Sequence, residues 1–259
     1  MKRRKFIRNS ATLATAWSLL PPLRAASSAH GGLPAHPRLF IAAETNDIGL
    51  QSVADFRRAV QSTGFLGQAW AELIEQAQAE VNLPALQPDS MVPDRSPAMA
   101  RDRNLDYTIC YHGGARMNRF ALAHLVTDEA AYLEAAMVQM RAILHDWPDW
   151  IDQSHVHFGH PADLRTGMLS QDCAIAYDWL YHSLTESERT EIRDGIIQRG
   201  IQPVLTSIGQ NPWWMTDLNN WVTVIVGGAA IAAMALHQHH PEAQSLIDIA
   251  TERYEAYLA

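Results

Sequence analysis

Apolar residues return every three or four positions along most of this chain, the spacing of a helix with one buried face. Residues 65–81 carry Leu66, Trp70, Leu73, Ile74 and Ala77 at that spacing. Residues 115–125 form a second such stretch. A third covers 129–147 with Leu133, Met137, Met140 and Leu144, and a fourth covers 162–181 with Leu164, Met168, Ala174, Ile175 and Trp179. Thr185-Glu186-Ser187-Glu188 has the Thr-x-x-Glu form of a capping box and starts a helix bearing Ile192, Ile196, Ile197 and Val204. Residues 219–236 and 241–258 complete the set, the last opened by Pro241, which suits a first helical turn. No alternating strand pattern competes, so the predicted fold class is all-α. Residues 82–102, rich in Pro, Asp and Ser, form the longest irregular stretch, a boundary or a loop over a cleft.

The run 221–236 is apolar throughout, yet its 16 residues fall short of the roughly 20 that span a bilayer. With Gly227, Gly228 and five alanines it predicts a closely packed inner helix and no membrane span. A helix buried all round, beside amphipathic ones, implies an inner and an outer layer. A toroid of α-hairpins needs that arrangement.

Composition changes the picture at the N-terminus. Lys2, Arg3, Arg4, Lys5, Arg8 and Arg24 fall in the first 25 residues, which contain no acid. A moderately apolar stretch (11–20) and a small-residue end, Ala25-Ala26-Ser27-Ser28, follow. Residues 1–28 therefore resemble a twin-arginine export signal, which implies a periplasmic or secreted protein. Residues 29–37 then form a Gly/Pro/His linker within the 29–259 domain. Without the first 25 residues, 14 Lys+Arg stand against 28 Asp+Glu, a balance of −14. A body that acidic is a poor nucleic-acid partner, while a local cluster of Arg and His still allows an anionic sugar polymer. Cys110 and Cys173 could pair in an oxidising periplasm, but two free, buried thiols are the favoured expectation.

Two segments carry a family resemblance: 174–189, containing Tyr177-Asp178-Trp179, and Trp213-Trp214 with Asn219-Asn220-Trp221 and the alanine-rich helix after them. Together with the opening His36-Pro37-Arg38-Leu39-Phe40, they resemble the helical domain of heparinase II/III-like polysaccharide lyases, including the oligoalginate lyases. The resemblance covers most of the chain from His36 and is strongest from Asp163 onward. It implies an incomplete (α/α) toroid of antiparallel hairpins that precedes a β-sandwich. It also implies cleavage of an acidic, uronate-containing polysaccharide or oligosaccharide by β-elimination, with no cofactor and no metal. In that reaction a base removes the C5 proton, an acid protonates the departing oxygen, and an amide aimed at the sugar carboxylate stabilises the enolate-like intermediate. By resemblance Asn220 is the better match for that amide and Asn219 the next; the alternatives are that both cap the helix, or that one caps while the other binds. The resemblance places the proton-transferring Tyr and the remainder of the enzyme beyond Ala259, so residues 1–259 by themselves are expected to show no elimination.

Trp213, Trp214 and Trp221 are candidate sugar-stacking residues, with burial between helices the alternative for the first two. Tyr177 is a further candidate contact, and Asp178 beside it reads more readily as a structural partner than as a catalyst. His155, His157 and His160 have metal-like spacing, but no Cys or well-spaced carboxylate completes a tetrahedral set. A substrate-lining loop, with His157 in it, is the preferred use. Two other classes compete with the lyase: a glycoside hydrolase on a related toroid, using Asp178 and Asp217 as acid and base, and a non-catalytic glycan-binding helical module.

Overall fold

The computed structural model describes residues 34–46, 48–151, 159–216 and 219–258. Two short parallel strands, β1 (Ile41–Ala42) and β2 (Gln51–Ser52), pair Ile41 with Gln51 and Ala42 with Ser52. Otherwise the regular structure is helical: α1 (Val53–Ala59), α2 (Phe65–Glu80), α3 (Pro97–Arg101), α4 (Tyr107–Thr127) and α5 (Ala130–Arg141). After these come α6 (Leu164–Leu180), α7 (Glu186–Ile196), α8 (Gln202–Gly209), α9 (Trp213–Thr216), α10 (Asn220–Ala235) and α11 (Ala243–Leu258).

The core is built on α6, which packs most extensively against α10 on one side and α4 on the other. α4 and α6 run parallel, because their contacts climb both helices together. Arg165 Nε donates to Leu105 O near the first turns, Asp172 lies against Gly114 in the middle, and His124 Nε2 meets Ser183 Oγ at 2.7 Å near the far ends. α6 and α10 are parallel as well. Gly167 near the start of α6 abuts Val224 and Gly228, while His239 beyond the end of α10 lies within electrostatic range of His36 and Arg38, which are held at the far end of α6.

α5 covers α4, the α7–α8 segment covers α6, and α11 covers α10. Burial follows this layering: in α10 the residues Val222, Ile225 to Ala230, Ala232, Ala233 and Ala235 are buried, whereas α11 buries only Ala243, Leu246 and Ala250. Asp128, in the left-handed region at φ 61°, turns the chain between α4 and α5.

Several boundaries differ from the periodicity. α4 begins at Tyr107, eight residues before the apolar pattern does, because the Asp106 side chain accepts from Ile109 N at 3.0 Å and starts the helix through Tyr111, His112, Gly113 and Gly114. Those residues give no apolar period to read. The helix expected after Leu184 is interrupted by a π-helical turn at Ile197–Ile201. Pro203 follows it; lacking an N–H and crowding the carbonyl four residues back, a proline forces such a local widening. The long irregular stretch contains the one-turn α3 and is stapled from within. Arg95, its side chain fully enclosed, donates to Asp106 Oδ2 (2.8 Å) and to the carbonyls of Pro88 (2.7 Å) and Asn104 (2.8 Å).

The α6–α10 crossing requires glycine. A Cβ on Gly228 would lie 2.1 Å from Gly167 O, and one on Gly167 would lie 2.2 Å from Val224 O. Neither neighbour can swing aside, since both are helix backbone. Gly228→Ala is therefore expected to destabilise the protein by about 2 kcal/mol or more in denaturant unfolding. Exposed Gly209→Ala, which meets nothing within 4 Å, is expected to stabilise by up to about 1 kcal/mol.

Candidate functional site

Because α4, α6 and α10 are parallel, their N-termini gather at one end of the molecule, and the residues there form a rim. Asn219 caps α10: its Oδ1 accepts from Trp221 N (2.9 Å) and Val222 N (3.3 Å), and its Nδ2 donates to Trp214 O at 3.4 Å. The next residue, Asn220, opens the helix with an exposed side chain that makes no hydrogen bond among the described residues. The two asparagines thus differ in role: one satisfies orphan helix amides and the other faces solvent at the positive end of a 16-residue helix. Trp213 is 42% exposed, and its ring lies 5.1 Å from that of Trp221, tilted by 55°. On the α6 side Asp163 caps the helix in a capping box with Thr166. Arg165 pairs with Asp163 at 3.1 Å and lies 4.1 Å over the ring of half-exposed Tyr107. His160 Nδ1 and Gln210 Oε1, 3.1 Å apart, tie the approach to α6 to the end of α8. His155, His157 and Asp217 lie outside the described residues.

Two of the sequence candidates are enclosed. Trp214 is 1% exposed and Tyr177 0%, so neither presents surface to a ligand in this structure. Trp214 sits in the core because the four-residue α9 turns it and Met215 inward while Trp213 faces out. Tyr177 lies near the far end of α6, away from the rim.

Asp178, also 0% exposed, fastens the segment 36–39 to α6. Its Oδ1 meets His36 Nδ1 at 2.5 Å, and its Oδ2 accepts from the backbone amides of Arg38 and Leu39, each at 2.8 Å. Trp179 Nε1 donates to Leu39 O (2.9 Å), His182 Nε2 to His36 O (2.7 Å), and the His36 ring stacks on Tyr181 at 3.9 Å. Burial lowers the His36 pKa from its ordinary value, and the bond to Asp178 opposes that shift. A carboxylate committed to these partners and sealed from solvent cannot serve as acid or base on a glycan, so the Asp178–Asp217 hydrolase pair loses its first member. In this structure Asp178 and Trp179 bond to the segment 36–39 and Tyr177 is enclosed.

One polar pair went unnoticed in the sequence. Asp172 on α6 packs against α4 where Gly114 leaves room, and Asn118 Nδ2 donates to its Oδ1 at 3.0 Å. The Asn118 Oδ1 is buried without a partner. Burial raises the Asp172 pKa to about 7, with the Asn118 bond pulling the other way. An Asp at that position reads as an outward polar residue in the helical pattern; the opposing Gly113-Gly114 pair was the available clue. Cys110 and Cys173 are free and buried, and burial pushes both thiols far above their usual range, which leaves them unreactive. Among the described residues no cluster of His, Cys, Asp or Glu is arranged to hold a metal, and no helix is long and apolar enough to cross a membrane.

No protein-family model matches the chain, and no curated protein matches it.

Asp172 makes stability depend on pH in a stated direction. Its folded pKa, about 7, lies above the ordinary 3.8, so its contribution is complete below the ordinary value and is lost as pH rises through about 7. Asp172→Asn is expected to exceed the wild type in stability by about 1 kcal/mol or more near pH 8, and by much less near pH 4. Denaturant midpoints across that range measure it, and a gap that does not vary with pH would contradict the assignment.

Proposed function

We propose that this chain is the helical part of an exported polysaccharide lyase that cleaves a uronate-containing glycan by β-elimination. In this reading α4, α6 and α10 are inner helices of an (α/α) toroid arc, and α5, α7–α8 and α11 are its outer helices. Residues 1–28 act as the export signal, and the glycan lies across the rim.

The reading is carried by the division of labour between Asn219 and Asn220. Because Asn219 already caps α10, the Asn220 amide is left without a partner at the positive end of the helix. A fixed amide dipole added to a helix N-terminus suits a carboxylate, and it suits better the enolate-like intermediate in which that carboxylate gains charge. Neutralising the carboxylate raises the acidity of C5–H; a base must still reach that proton, since general acid–base transfer works only at hydrogen-bond range. Trp213 and Trp221 supply the apolar ring faces on which sugars stack. The hydrolase alternative is weakened by the burial of Asp178. The glycan-binding module shares the rim and differs only in lacking turnover.

The test pairs two substitutions, in the protein as its gene encodes it, with alginate, heparan sulfate and hyaluronan as substrates. Elimination is followed through the ultraviolet absorbance of the unsaturated uronate, which hydrolysis does not produce. Asn220→Ala is expected to lower the rate on the order of a hundredfold with unfolding midpoint unchanged. Asn219→Ala is expected to cost about 1 kcal/mol of stability through the lost cap. Unchanged elimination in Asn220→Ala would remove Asn220 from the site. Uronate binding by the wild type with no unsaturated product would favour the binding module.

A further inference from the structure

We propose that Arg38 anchors a second site, for a small oxyanion, at the end of α6 opposite the rim. The proposal does not depend on the lyase reading. Arg38 lines a cavity of about 290 Å³ together with Pro34, Ala42, Glu44, Thr45 and Asn46. Its Nε and Nη1 are buried, and neither has a hydrogen-bond partner. Guanidinium stays charged at any physiological pH, so it cannot escape burial by losing its proton as a lysine or histidine can. The residue is half-buried with the Asp178 carboxylate in electrostatic range, but two enclosed N–H donors without acceptors are costly, and an oxyanion would answer both.

Among the described residues, Asp178 and Glu186 spend their hydrogen bonds elsewhere, although Asp178 stays within electrostatic range of Arg38. Both oxygens of Asp178 are taken, one by His36 and the other by the Arg38 and Leu39 amides. Glu186 pairs with Arg189 at 3.1 Å and is largely exposed. The Asn46 side chain is spent within its own loop, accepting from Ile48 N and Leu50 N and donating to Leu50 O. Glu44 is the one acid among the described residues of the cavity wall, and its side chain is exposed and unpaired.

Several cations lie beside the Asp178 carboxylate: Arg38 and His182 both act to lower the His36 pKa, and burial, Arg193, His36 and Arg38 lower that of His239. The positive field, the unspent donors and the cavity together suit a carboxylate, sulfate or phosphate group. Water would fill the donors without adding a negative charge.

The experiment titrates the purified chain, at fixed ionic strength in chloride buffer, with sulfate, phosphate, glucuronate and uncharged glucose. Calorimetric heats and thermal midpoints are the readouts. Saturable one-to-one binding of at least one oxyanion is expected, on the order of millimolar in Kd, with none for glucose. Binding of all three anions identifies an inorganic-type oxyanion site; binding of glucuronate alone identifies a sugar-acid site. Arg38→Met keeps the backbone amide that Asp178 uses, and is expected to abolish binding while leaving the chloride midpoint equal to or above wild type. Glu44→Gln removes a competing charge and is expected to tighten binding several-fold; it serves as the decisive variant if Arg38→Met fails to fold. The proposal is overturned if no oxyanion binds, or if Arg38→Met responds as the wild type does, the mark of general salt exclusion. It is equally overturned if Glu44→Gln lowers the midpoint without gaining affinity, because Glu44 would then be the guanidinium's partner.

Discussion

Everything at the rim is referenced to the place where α6 and α10 touch without side chains between them. Gly167 sits against the backbone of Val224 and Ile225, and Gly228 against the backbone of Gly167. Such a crossing permits neither sliding nor rotation without a clash, so it fixes the height of the α10 N-terminus relative to α6. Asn219, Asn220 and Trp221 inherit their positions from that contact, and α11 and α9 then pack on α10. Protein interiors transmit small displacements because they are close-packed. A change two turns inside α10 therefore alters where Asn220 stands, although it touches nothing at the rim.

The two ends of α6 use polar chemistry in opposite ways. At its start, Asp163 and Asn219 satisfy the first amides of α6 and α10 and leave Asn220, Trp213 and Tyr107 open to solvent. At its far end, Asp178 is fully enclosed and fully bonded, and it holds the strand-forming N-terminal segment against the helix. A buried carboxylate is tolerable when both of its oxygens are hydrogen-bonded, and Asp178 meets that condition with two backbone amides and a histidine. Arg38 is the exception beside it: its amide contributes to the latch while its guanidinium is left over.

Much of this was legible in the residues. The 3.6-residue period located most of the helices, the Thr185–Glu188 capping box appears as read, and the apolar Gly- and Ala-rich run is the buried helix it suggested. Asn219 and Asn220 were both marked as amides for a substrate carboxylate, Asn220 ahead of Asn219, with helix capping as the alternative; the structure makes Asn219 the cap. Less visible were the first two turns of α4, where polar residues and glycines carry no period. The π-helical turn at Ile197–Ile201 was also hidden, since it arises from backbone crowding that an apolar pattern does not record.

What the sequence determined by itself is therefore local. It specified helix class, the capping residues, and which faces avoid water, because these follow from backbone hydrogen bonding within four residues and from the side chain's own affinity for water. Tertiary structure decided which of two adjacent, chemically identical or similar residues turns inward. Asn219 caps while Asn220 is free, and Trp214 is enclosed while Trp213 is exposed. It also decided that Asp178 meets His36, 142 positions away, and that Asp172 loses its water to a helix carrying Gly114. Those outcomes depend on which surfaces are brought together across the chain. A residue's burial, its pKa and its free valences exist only once its distant neighbours are in place.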